Sequence, residues 1–240
     1  MYNTDFTRRY GLWISSQKKF NLTRLSPLLQ AKELTAAMPK VEVFYDCSSP
    51  WAYLGFVRMH RLAAKMGFDI IWRPVLVGGV FNEVNQVIYT ARENMFDNER
   101  KSSHFFKDLQ NWADYAGIVI KWPQWHPGKS VKCMRGAFVA EDHNLLVEYS
   151  LKMFEAYWQH NEEVDDAATL TRVCNELGIN PEEFFDKIAD PVYKAKLKTN
   201  TDEVIARGGY GVPSIFINDT DMYFGNDRMP LVEKALEKLV

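Results

Sequence analysis

Two parts of this chain hold residue types that could do chemistry on a bound molecule. The first is Val41-Glu-Val-Phe-Tyr-Asp-Cys-Ser-Ser-Pro-Trp-Ala-Tyr-Leu-Gly-Phe56, where an apolar, β-prone run ends in a polar turn and a helix-like segment begins. Ser49 stands where an N-cap belongs and Pro50 at the first helical position. Such a junction places a small nucleophile-type side chain, here the Ser49 hydroxyl, at a helix N-terminus. Taken alone, Ser-Pro also simply starts a helix. The second part is Gly211-Val-Pro213 together with Phe224-Gly-Asn-Asp-Arg228, on either side of a short apolar run. A proline at a strand entrance is allowed on local grounds. Asn226 or Asp227 could cap the last helix and leave N–H groups facing a carboxylate or other anion. Asp227 could take an α-ammonium group and Arg228 a carboxylate, bidentately. An ordinary capped helix start accounts for Asn226 or Asp227 but not for the whole cluster.

The elements that must position these groups follow from pattern. Residues 41–45 and 68–74 read as strands, and 51–66 between them as a helix with Leu54, Val57, Leu62 and Ala63 on one face. Two strands joined this way are parallel, with a right-handed crossover. Residues 76–81 begin a loop. Helices are expected at 105–115, 131–143, 145–159, 167–177, 181–188 and 193–207, with Asp166 and Asn180 at N-cap positions and Pro181 opening a helix. A hairpin, 214–218 and 222–224, turns around Asn218-Asp-Thr-Asp221, and a helix over 231–239 closes the chain. This order predicts an α/β fold, a thioredoxin-like (DsbA-type) core with an inserted all-α domain. The partition is 1–39 as an N-terminal extension, 40–102 and 190–240 as the thioredoxin-like domain, and 103–189 as the helical insert.

Composition narrows the function classes. The 240 residues are 47% hydrophobic and 25% charged with a net charge of −2, so neither nucleic acid nor an anionic membrane is an expected partner. Three cysteines, Cys47, Cys133 and Cys174, form no C-x-x-C pair, which reads as an intracellular chain without a disulfide framework. No secretory signal or membrane span is evident. The basic residues before position 40 suggest either an arm docked on the body or a transit peptide. The expected compartment is therefore the cytoplasm, or the mitochondrion in the second case. His60, His104, His126, His143 and His160 have no ligand spacing, so no metal is expected. Gly78-Gly79 lacks a dinucleotide-site context, and no Walker A pattern occurs. Glu162, Glu163, Asp165 and Asp166 read as a solvated acidic face. Trp122 and Trp125 read equally as core or as pocket lining.

Four segments in order carry a family resemblance: Phe44-Tyr-Asp-Cys-Ser-Ser-Pro-Trp-Ala-Tyr-Leu-Gly55, Arg73-Pro-Val-Leu-Val-Gly-Gly-Val-Phe81, Gly211-Val-Pro213 and Phe224-Gly-Asn-Asp-Arg-Met229. Over about residues 40–240 the chain resembles the kappa-class glutathione transferases and the 2-hydroxychromene-2-carboxylate isomerases of the DsbA-like thioredoxin superfamily. The resemblance implies an enzyme that uses glutathione, whose thiolate adds to a small hydrophobic or aromatic electrophile in a transferase or a cis–trans isomerase. Ser49, followed by Pro50, matches the serine that hydrogen-bonds the glutathione sulfur. Asn85 resembles an asparagine that helps hold glutathione, at a spacing one residue short, and Lys101 matches a basic contact. Pro213 matches a cis-proline, and the Val212 backbone beside it would pair with the cysteinyl part. Asn226, Asp227 and Arg228 match the segment that grips the γ-glutamyl end. Where the isomerases show Phe-Pro-x-Asn, this chain has His126-Pro-Gly-Lys129. A homodimer is implied as well.

Two rival readings follow from the same fold. A DsbA-like disulfide oxidoreductase needs C-x-x-C, and the matching positions are Ser49 and Ala52. A non-catalytic thioredoxin-like binding module would keep Pro213 without needing the 226–228 cluster.

Overall fold

The computed structural model describes residues 38–239. The readings placed on the basic arm before residue 38 lie outside the described residues. Strand β1 (Val41–Tyr45) leads into helix α1 (Pro50–Met66) and strand β2 (Ile70–Pro74). Helices α2 (Val77–Val84), α3 (Val87–Phe96), α4 (Glu99–Ala116), α5 (Val131–Asp142), α6 (Leu146–Trp158), α7 (Ala167–Leu177), α8 (Pro181–Ala189) and α9 (Pro191–Ala206) follow. Strands β3 (Ser214–Ile217) and β4 (Asp221–Phe224), a short 3-10 turn at Asn226–Arg228 and helix α10 (Met229–Leu236) complete it.

The four strands lie in the order β2-β1-β3-β4. β1 pairs parallel with β2 and antiparallel with β3, so Val43 sits between Trp72 and Ile215. Every residue of β1 is buried because both faces of this central strand are covered. On one face Phe56 of α1 stacks on Trp72 at 3.8 Å and meets Tyr45 at 4.9 Å. On the other, Phe44 and Phe216 lie under the Arg207 guanidinium, 5.4 and 4.0 Å from the ring centroids. Glu42 is buried beside them, ion-paired with Arg73 at 2.7 Å and Arg207 at 2.9 Å. Burial pushes its carboxyl up, but bonds from Arg73, Lys40 and Arg207 outweigh that and hold it below its ordinary value.

Helix ends follow local chemistry. Asp166 accepts from the Ala168 and Thr169 amides to cap α7, and Asn180 accepts from Glu182 and Glu183 to cap α8 ahead of Pro181. Helix α1 stops at Gly67, whose φ of 78° suits a residue without a Cβ.

Three expectations change, and one helix appears where no element is expected. Residues 76–81 form the start of helix α2 rather than a loop, since the Val77 amide finds a distant acceptor, the Asp46 carboxylate at 2.8 Å. Helix α3, with no buried residue, carries no apolar stripe for periodicity to reveal. The acidic run is not a purely solvated face: Asp165 accepts from Lys132 and Cys133 amides at the start of α5, and Glu162 pairs with Arg172. The last helix begins at Met229, and neither Asn226 nor Asp227 caps it. Among the described residues no helix is long and apolar enough to cross a membrane.

Candidate functional site

The β1–α1 turn is assembled around one carboxylate. Asp46, fully buried at the end of β1, accepts from the Ser48 amide and hydroxyl on Oδ1, each at 2.9 Å. Its Oδ2 accepts from the Val77 amide at 2.8 Å and the Ser130 hydroxyl at 3.0 Å. The same side chain therefore shapes the turn and ties down the starts of α2 and α5. Burial pushes its carboxyl above the usual value, and the four bonds offset only part of that.

This wiring separates two adjacent serines. The Ser48 hydroxyl has given its hydrogen to Asp46. The Ser49 Oγ instead accepts from the Ala52 amide at 3.2 Å, capping α1, and its own O–H has no acceptor among the described residues. A hydroxyl in that state can still donate. It does so at the positive end of a 17-residue helix, where an anion is favoured. Pro50 occupies the first helical turn, where a missing N–H costs nothing. Cys47, two residues earlier, is buried, and burial pushes its thiol up. It is not an activated nucleophile.

The loop before β3 comes against α1. The Val212–Pro213 peptide is cis. A Cβ built on Gly55 of α1 would lie 2.7 Å from Pro213 Cγ, so only glycine admits this approach. The Val212 amide and carbonyl make no hydrogen bond among the described residues. Gly225 donates to the Pro213 carbonyl at 3.0 Å, which brings the 225–228 turn to the same end of the sheet. There Asp227 and Arg228 pair with each other at 2.5 Å and are about half exposed. Asn226 is buried, not outward-facing as a cap would be, and Arg58 of α1 holds it.

Asn85 ends α2 and donates from its side chain to the Tyr210 carbonyl at 3.0 Å, just ahead of Val212. Lys101 lies in the first turn of α4, one turn before Phe105, whose ring meets Trp51 at 5.7 Å. Lys101 is exposed. Phe105 also meets Trp122 at 5.7 Å, and Trp122 meets His126 at 4.5 Å. Trp122 thus belongs to an aromatic wall running from α1 into the helical region, whereas Trp125 is exposed. Burial, with Arg92 nearby, lowers His126 to about 4, so this ring is neutral at ordinary pH. Sequence reasoning missed Asp46 and Arg58. Asp46 sits inside the motif itself, but its reach to Ser130 leaves no trace in local spacing.

The chain as a whole is similar to known proteins. The description of the DSBA-like thioredoxin domain matches residues 40–237. The chain belongs to that family. It is 26% identical to human glutathione S-transferase kappa 1 over 82% of this chain and 90% of that protein. It is 25% identical to the 2-hydroxychromene-2-carboxylate isomerase of Pseudomonas putida, covering 83% of this chain and 95% of that one. A solved structure of a 2-hydroxychromene-2-carboxylate isomerase superposes with a TM-score of 0.70 at 25% identity, over 83% of this chain and 95% of that one. A cytosolic disulfide reductase, DsbM from Pseudomonas aeruginosa, shares the fold at 14% identity and a TM-score of 0.56, covering 83% and 97% of the two chains. The fold is thus DsbA-like, and the named relatives that this chain matches over most of its length are enzymes.

Proposed function

We propose that this chain is a glutathione-dependent enzyme acting on a small hydrophobic or aromatic electrophile, as a kappa-like transferase or as a 2-hydroxychromene-2-carboxylate-type isomerase. The observation that carries the reading is the Ser49 hydroxyl, whose hydrogen is uncommitted at the N-terminus of α1. Bound glutathione supplies a thiol, whose thiolate is the nucleophile. Ser49 donates to that sulfur, and the helix terminus favours its anionic form, so the proton leaves at a lower pH than it does in water.

Other residues fit the rest of the tripeptide. The unpaired Val212 main chain suits the cysteinyl backbone. Asp227 suits the α-ammonium and Arg228 the α-carboxylate of the γ-glutamyl end. Asn85 steadies the 210–213 loop through Tyr210, and Lys101 offers a cation from α4. The wall of Trp51, Phe105 and Trp122 suits a flat, apolar electrophile. A homodimer goes with this reading. Disulfide exchange fits poorly, because Ser49 and Ala52 stand where two sulfurs are needed and Cys47 is buried.

The test is calorimetric titration with reduced glutathione, with thiolate read by ultraviolet absorbance, for the wild type and Ser49→Ala. Binding by both, with thiolate formed only by the wild type, is the expected result. No binding at millimolar glutathione would overturn the proposal.

A further inference from the structure

Arg58 does more than join α1 to the C-terminal segment. Its Nη1 donates to the Asn226 carbonyl at 2.6 Å and to the Asn226 Oδ1 at 3.0 Å. One guanidinium nitrogen thus fixes both the backbone and the side chain of a residue that is 3% exposed. The guanidinium is itself held between two rings, its carbon 4.9 Å from the Trp112 ring centroid and 5.3 Å from that of Tyr115, both on α4. The buried Met229 amide also donates to the Asn226 carbonyl. Gly225 is tied to Pro213, and the Arg228 amide reaches back to the Gly225 carbonyl at 3.4 Å. Gly225 has a φ of 97°, and a Cβ built on it would lie 2.7 Å from Asp227 Oδ1, so the Asp227 carboxylate folds closely over this turn. The Asp227 and Arg228 side chains hydrogen-bond only to each other among the described residues, and the Asp227 carboxylate also lies within electrostatic reach of the Arg58 guanidinium. Among the described residues Arg58 is the one side chain that hydrogen-bonds Asn226, so the placement of the Asp227–Arg228 pair depends on it beyond what the main-chain bonds supply.

We infer that Arg58 is a positioning residue for recognition of an α-amino-acid group: it locks Asn226 so that Asp227 and Arg228 present a carboxylate and a guanidinium side by side. The ligand class is a thiol peptide carrying a free α-ammonium and α-carboxylate on its N-terminal side, as a γ-glutamyl group does. The inference rests on the glutathione reading above. Lysine cannot replace Arg58 fully, because an ammonium lacks the planar guanidinium that lies against two rings.

The experiment compares glutathione with cysteinylglycine, which lacks the γ-glutamyl group, by calorimetry on the wild type, Arg58→Met and Arg58→Lys. Circular dichroism checks that each variant is folded. The wild type is expected to prefer glutathione, and Arg58→Met to lose at least about tenfold of that preference while binding cysteinylglycine as before. Arg58→Lys should fall between them. If Arg58→Met retains the full preference, or weakens both thiols equally, Arg58 is merely structural and the inference fails. If Arg58→Met does not fold, Arg58→Lys decides: an unchanged preference overturns the inference and a reduced one supports it. A wild type that binds neither thiol overturns the glutathione reading itself, a result distinct from selective failure at Arg58.

Discussion

The β1–α1 turn and the 225–228 turn lie at the same end of the sheet but are built on opposite plans. The first is organised from inside, by a buried carboxylate whose two oxygens take four hydrogen bonds from three segments. The second is organised from its edge, by one arginine on a neighbouring helix, and ends in an ion pair about half exposed to water. A group that must activate a thiol gains from a rigid, desolvated support, because small displacements there cost transition-state stabilisation. A group that recognises a charged ligand end must stay accessible, so its support comes from outside the core. The difference predicts that changes at the first turn act on stability and chemistry together, and that changes at the second act on binding alone.

Asp46→Ala should break the first turn most severely. It leaves the Ser48 amide, the Val77 amide and the Ser130 hydroxyl without an acceptor, and a loss of about 3 kcal/mol or more is expected in urea unfolding. Gly55→Ala comes next. The added methyl would meet Pro213, and overpacking costs about 1–3 kcal/mol, partly offset by the better helix propensity of alanine. Weakened thiol binding should accompany it, read by the same titration. Ser49→Ala should cost about 1 kcal/mol in stability through the lost cap, while abolishing thiolate formation. Asp227→Asn should change stability by no more than about 0.5 kcal/mol, because surface ion pairs contribute little, yet weaken glutathione binding. A large loss of stability there would collapse the contrast between the turns.

Acid titration sharpens the contrast between Glu42 in β1 and Asp46 just beyond it. Asp46 binds its proton more tightly in the folded chain than in the unfolded one, so its contribution to stability falls as pH rises from about 4 toward its raised folded value. Glu42 has the opposite sign. Its contribution is present above the ordinary glutamate value and is lost as pH falls through its lowered folded one. Unfolding measured against pH should therefore lose its acid limb in Glu42→Gln. In Asp46→Asn the descent above about pH 4 should flatten instead.

Legibility tracked distance along the chain. Asp166 and Asn180 were readable as caps because their acceptor geometry closes within three residues. Helix α2 is not legible locally, because its first amide is satisfied by Asp46, far back in sequence. The residue types at 226–228 announce a cap and a grip on a charged ligand end, but nothing local announces that Arg58 holds a buried Asn226.

The sequence by itself determined the strand–turn–helix junction, with Ser49 at its N-cap and Pro50 in the first turn, and the β-β-α closing unit. These depend on side chains and amides a few residues apart, so residue type and spacing suffice. Tertiary structure decided how the shell of the Asp46 carboxylate is completed, where the Val212 main chain stands unpaired among the described residues, and what holds the 225–228 turn. Each of those depends on a partner brought close only by folding, through Asp46 and Ser130, Gly55 and Pro213, and Arg58 and Asn226. A hydrogen-bond donor can be satisfied by any acceptor in reach, and the fold alone chooses which one is there.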